Sequence, residues 1–99
     1  MSVRVVLHAP TEPALLRARS NLRNLRLADP DIEIRILANA DAVTAALARP
    51  DAEADPHLVL CENSLRARGL AAPAGIATVP AVIHALVELQ AAGWTYIRA

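Results

Sequence analysis

Five short apolar runs, at residues 3–7, 32–37, 58–60, 76–79 and 94–97, are separated by stretches whose apolar residues recur every three or four positions. A chain patterned this way alternates strand and helix, and strands that alternate with helices pair in parallel through crossover connections. The first run is β-branched and breaks at Ala9-Pro10. Thr11 can cap the helix that follows, and Pro13 is tolerated in its first turn, where the missing N–H costs little. Leu15, Ala18, Leu22 and Leu25 mark its inner stripe, and Asp29-Pro30-Asp31 ends it near residue 28. Ile32, Ile34 and Ile36 then alternate with Glu33, Arg35 and Leu37, the period of a strand.

Asp41 can cap a short helix over residues 42–48, and the acidic, proline-bearing segment 49–56 reads as a loop. A third strand ends at Cys61. A helix starts there and reaches Arg68, with Gly69 as its stop. Pro80 suits the first turn of a last helix, residues 81–92, which Gly93 terminates before the final strand. The pattern predicts one three-layer α/β/α domain, spanning residues 1–99, around a mostly parallel sheet. Ninety-nine residues bury enough surface for one core and no more.

Composition removes whole classes of function. Trp94 and Tyr96 are the only ring-stacking platforms, too few for reading single-stranded nucleic acid. Ten basic residues balance ten acidic ones, so no global field holds a polyanion, and no nucleic-acid partner is expected. All ten are arginine, which rules out lysine Schiff-base chemistry. A single cysteine rules out an internal disulfide, a CxxC pair and a multi-cysteine zinc site within one chain. No apolar run reaches the roughly 18 residues of a membrane span, and residues 1–8 are too short a run for a signal peptide. The expectation is a cytoplasmic protein with a free thiol, no cofactor, no metal and no membrane partner.

Ligands of parallel sheets bind beyond the carboxyl ends of the strands. His8, Asn39 and Cys61 end the first three strands in this reading. A cysteine where a strand turns into a helix meets free N–H groups and the positive end of the helix, which favour a thiolate. Arg66 and Arg68 could add positive charge there, and Glu62 opposes it. Asn63 and Ser64, in the first turn, would shape such an anion site or simply initiate the helix. Cys61 could equally be a small apolar residue closing a buried strand. His8 is a candidate base or hydrogen-bond partner for the thiol, or a histidine bonded to a nearby carbonyl. Asn39 is expected to organise a turn.

Three further features call for plain structural roles first. The row Arg19, Arg23 and Arg26 reads as a solvated helix face. His84 and Glu88 lie one turn apart and read as a polar pair rather than a metal site. The last helix carries Val82, Leu86 and Leu89 on one stripe and Ile83 and Val87 on another. A helix this broadly apolar is expected to bury more than one side, in a subunit contact.

The segment Leu60-Cys61-Glu62-Asn63-Ser64-Leu65-Arg66-Ala67-Arg68-Gly69-Leu70 resembles the cysteine segment of small DsrE/DsrF-like proteins. Val79-Pro80-Ala81-Val82 and the ending Glu88-Leu89-Gln90-Ala91-Ala92-Gly93-Trp94-Thr95-Tyr96-Ile97 are similar to that family's C-terminal pattern, and the first strand with His8 and the helix with Asn21 and Leu22 also fit. The sequence departs from the pattern at Leu37-Ala38-Asn39-Ala40, where relatives often carry His-Gly. The resemblance implies a five-stranded, largely parallel sheet, assembly as trimers or hexamers, and a cysteine that carries sulfane sulfur as a persulfide between donor and acceptor proteins. That cysteine corresponds to Cys61. The alternatives are a non-catalytic oligomer that binds a small ligand or anion at His8, Asn39 and Cys61, the thiol only lining the pocket, and a thiol redox sensor.

Overall fold

The computed structural model describes residues 3–99. Its elements run β1 (Arg4–Ala9), α1 (Glu12–Ala28), β2 (Glu33–Ala38), α2 (Asp41–Ala48), a short 3₁₀ turn (Asp55–His57), β3 (Leu58–Cys61), α3 (Glu62–Ala67), β4 (Ala77–Val79), α4 (Val82–Ala91) and β5 (Thr95–Arg98). The strands form one sheet in the order β4-β3-β2-β1-β5, and every neighbouring pair is parallel. The expected α/β fold is therefore the observed one, with a wholly parallel sheet. Among the described residues no helix is long and apolar enough to cross a membrane.

Each boundary has a local cause. The Thr11 hydroxyl accepts the Ala14 N–H at 3.2 Å and starts α1. At the other end of the αβ units, α3 stops in a two-bond C-cap. Leu70 N–H reaches Leu65 C=O at 2.9 Å, and Gly69 N–H reaches Arg66 C=O at 3.1 Å. That geometry needs the left-handed backbone Gly69 supplies at φ +64°. The β1 strand runs one residue beyond His8, its expected end, so His8 lies inside it, paired with Leu37 and Arg98.

From β1 to β4 the chain steps across the sheet in one direction, with α1, α2 and α3 on one face. The connection from β4 back to β5 runs the opposite way, so a right-handed crossover puts α4 on the other face. The core divides accordingly. Val5, Leu7, Ile34, Ile36, Leu58 and Leu60 meet the inner stripes of α1, α2 and α3 in one aliphatic cluster. Val6, Leu37 and Cys61 meet Val82, Leu86 and Trp94 in a smaller one. The Arg4 and Arg35 guanidinium groups sit 5.5 and 4.6 Å from the Trp94 ring centroid, cation–π contacts worth about 0.5–1 kcal/mol each.

The row of arginines on α1 is not a solvated face. Arg19 is buried, 3.9–4.0 Å from Asp51 and Asp55, and Arg23 bonds Asp51 at 2.5 Å and Glu53 at 2.9 Å. The acidic segment 49–56 folds back over α1 to reach them, and only Arg26 stands free to solvent. Asp51 also accepts the N–H groups of Glu53 and Ala54, so it organises the loop as well as pairing it. Burial raises its carboxyl pKa. The Ala54 N–H, Arg23 and the Glu53 N–H outweigh burial and hold the carboxyl below the ordinary aspartate value. A group with a depressed folded pKa contributes above the unfolded value, about 3.9, and loses that contribution as pH falls through the lower folded value. Asp51→Asn should cost about 1–2 kcal/mol at neutral pH. It should also flatten the fall in stability below pH ~4, read by urea unfolding across a pH series.

Candidate functional site

The topology divides at the carboxyl ends of two adjacent strands. β3 leads into α3 on one face, and β4, its neighbour, leads into α4 on the other. The crevice rule for open parallel sheets picks out this point, and Cys61 occupies it, paired with Val79 and serving as the N-cap of α3. The lead-in to α4 closes over α3 through an Asn63 N–H bond to Pro80 C=O at 3.2 Å.

Cys61 is 5% exposed and packs with Val6, Leu37, Val82, Leu86 and Trp94. Burial, the largest single influence, pushes the thiol pKa up. The Ser64 hydroxyl, then the amides of Val82, Ser64 and Asn63, more than reverse this, and the thiol lies below its ordinary value. Among the described residues the Cys61 side chain makes no capping bond to α3. The groups that matter are thus neutral dipoles from two helix starts. Arg66 instead bonds Asn63, and Arg68 reaches across to Asp41 at 2.9 Å and to Ser64 C=O at 3.2 Å. Glu62 turns away to accept the Thr78 hydroxyl at 2.7 Å.

His8 and Asn39 meet each other, and neither bonds the thiol. His8 Nε2 lies 2.9 Å from Asn39 Oδ1, and Nδ1 lies 2.7 Å from the Tyr96 hydroxyl. With an amide oxygen as its partner, Nε2 carries the proton, and in the neutral ring Nδ1 accepts from Tyr96. Both ring nitrogens are occupied, so His8 is not a hydrogen-bond partner of Cys61. The expected convergence of three side chains resolves into a Tyr96–His8–Asn39 row and a separate sulfur. The two are joined through the turn after β2, where the Ala40 N–H donates to Ser64 Oγ at 2.8 Å.

That turn holds the chain's departure from ordinary backbone geometry. Ala40 sits at φ +51°, ψ −134°, and is the N-cap of α2 with no side-chain cap, whereas Asp41, expected to cap, is the first helical residue. Ala40, Tyr96, Val82 and Thr78 were not legible as site residues, because their part depends on strand order and backbone direction rather than on side-chain type.

Among the described residues no group of three or more His, Cys, Asp or Glu side chains gathers to hold a metal, and His84 pairs with Glu88 at 3.5 Å. A cleft of about 270 Å³ runs along α3 between Glu62, Arg66, Leu70 and Thr78. Another, of about 670 Å³, opens at the amino ends of β2, β3 and β4, where the His57 ring caps the Ile34 carbonyl at 3.0 Å. Cys61 lines neither of these two.

No family model matches the chain, and no curated protein matches it. The solved structure of a protein of unknown function from Methanobacterium thermoautotrophicum is similar over the whole domain. Its TM-score is 0.81 at 28% identity, across 98% of this chain and 99% of that one.

A non-glycine residue at this φ and ψ carries strain of about 1–3 kcal/mol. Ala40→Gly relieves it, and the greater freedom glycine gives the unfolded chain offsets part of the gain. The expected net effect is stabilisation by about 1 kcal/mol, read as a higher urea midpoint with unchanged slope.

Proposed function

We propose that the protein is a single-cysteine sulfur carrier, with Cys61 holding sulfane sulfur as a persulfide. The observation that supports this is the position of the sulfur between two helix starts, facing neutral donors that favour its anion. In the transfer step the Cys61 thiolate attacks the outer sulfur of a donor protein's persulfide. The S–S bond within that persulfide breaks, the donor leaves as its thiolate, and a new S–S bond forms on Cys61. An acceptor thiolate repeats the exchange, so no net oxidant or reductant and no second cysteine in this chain is needed. The resemblance to DsrE/DsrF-like proteins supports the same reading, and a cytoplasmic, reducing compartment suits a free thiol.

A specific observation favours the alternative, a non-catalytic ligand- or anion-binding oligomer. At 5% exposure Cys61 is more secluded than an exchanging thiol needs to be. Incubation with a persulfide or thiosulfate donor, followed by intact mass, separates the two. The carrier gains the mass of one sulfur, lost on reduction and absent from Cys61→Ser. An unmodified wild type, with a Cys61 alkylation midpoint at the ordinary thiol value of about 8.5, means the alternative.

Self-association belongs to both readings. On α4, Ile83 is 69% and Val87 60% exposed. Beside that helix a cleft of about 180 Å³ is floored by Leu37, Val59, Val79, Ala85 and Leu89, with Arg35 and Glu88 at its rim. A second copy offers the Ile83/Val87 ridge to fill the cleft and a Glu88 to face Arg35. Sedimentation should find an oligomer, a trimer or hexamer on the family resemblance. Ile83→Glu should weaken it by tenfold or more in Kd, about 1.4 kcal/mol. A wild-type monomer at high concentration removes this part.

A further inference from the structure

β5 is an edge strand that its own chain leaves open. Among the described residues it pairs only with β1, and all of Thr95–Arg98 are exposed. Edge strands are ordinarily blunted by brevity, proline or charge, because a row of unpaired N–H and C=O groups accepts another strand. The opposite edge follows that rule: β4 is three residues long and runs into Pro80. β5 carries Thr, Tyr and Ile, all good strand formers, with no proline and one charge, Arg98, at its end.

One bond fixes the direction of its free groups. Ala99 N–H donates to His8 C=O at 2.9 Å, so Ala99 turns its backbone toward β1, and Ile97 and Thr95 do the same by alternation. Tyr96 and Arg98 therefore turn their N–H and C=O outward. The side chains alternate too. Tyr96 reaches His8, two residues on from Val6, on the α4 face, so Arg98 shares that face and Ile97 stands on the α1 face.

We propose that a second copy of this chain pairs with β5 along its open edge, antiparallel, about a two-fold axis at Ile97. In that register Tyr96 and Arg98 of the partner subunit form a hydrogen-bonded pair, and symmetry repeats it. All four outward groups of each chain are satisfied. The pairing also sets each Tyr96 ring beside a guanidinium on the α4 face, a cation–π contact. On the α1 face it sets Ile97 against its own copy, at the non-hydrogen-bonded position where side chains come closest. Other registers match less. Centring on Tyr96 puts Arg98 opposite Trp94, whose N–H already goes to Leu89 C=O at 2.9 Å. Centring on Arg98 sets two guanidinium groups against each other. The edge is complementary to itself in one alignment, and that is what identifies its occupant as another copy. This surface is separate from the α4 flank and independent of the chemistry of Cys61. It brings a second guanidinium to the outer end of the Tyr96–His8–Asn39 row.

The test begins with Ile83→Glu, which lacks the α4 contact and should still sediment as a dimer. Adding Arg98→Pro should raise the dimer Kd by about tenfold or more. Proline there removes an outward N–H and leaves the bonds between β5 and β1 in place. The register is read by crosslinking in a Cys61→Ser background. Ile97→Cys should form an intersubunit disulfide under mild diamide oxidation, because directly opposed non-hydrogen-bonded residues have Cα atoms roughly 4.5 Å apart. Thr95→Cys, on the same face but opposite Ala99, should not. A monomeric Ile83→Glu, a dimer that Arg98→Pro leaves unchanged, or crosslinking at position 97 no faster than at position 95 overturns the proposal. Should circular dichroism show Arg98→Pro unfolded, the two cysteine variants decide: a disulfide confined to position 97 supports the pairing, and any other pattern overturns it.

Discussion

A parallel sheet whose last strand must return to the far side of the first has little freedom in where it puts its final helix. Because β4 and β5 lie at opposite edges, the connection between them crosses the sheet on the face that α1, α2 and α3 leave bare. Two consequences follow from that single crossover. The chain divides at the ends of β3 and β4, so the starts of α3 and α4 come together over Cys61. One helix must also cover a face that three helices cover on the other side. The chemistry of the site and the incompletely covered flank beside α4 therefore have a common origin in strand order.

At the division point two electrostatic effects of opposite sign meet. Removing a thiolate from water is unfavourable, and for Cys61 this is the largest influence. Backbone amides and a hydroxyl reverse it without any full positive charge, which distinguishes this sulfur from one activated by an adjacent histidine or lysine. Dipoles built into the backbone do not titrate, so their effect on the thiol persists wherever the fold does. The same enclosure limits approach: low exposure protects the thiol from oxidation.

Much of the fold was legible because periodicity reports burial directly. The alternation in residues 32–37 and the three- and four-residue steps of α1 identified their elements to within a residue or two. Cys61 at a strand-to-helix junction was legible for the same reason. What one sequence does not carry is strand order, and the missed features depend on it. Tyr96 reaches His8 because β5 pairs with β1, a contact between positions 88 residues apart. The burial of Arg19 depends on the 49–56 segment folding over α1, which a run of acids and prolines does not announce. The arginine periodicity was real, but exposure was inferred from charge, and paired carboxylates reverse that inference.

The turn after β2 shows how backbone strain and the bonds that offset it come to share a few atoms. A position at positive φ ordinarily suits glycine, which adopts it without a steric penalty. This chain carries alanine and keeps the conformation, so bonds elsewhere must offset the strain. Those bonds come from Ser64, His8 and the β1 backbone. A turn with glycine would need less support from Ser64. In this chain the serine restrains the backbone while the backbone orients the serine, and substitutions at either end should be felt at the other. Mutual restraint of that kind places the one non-glycine residue at positive φ among the described residues within one hydrogen bond of the helix that Cys61 caps.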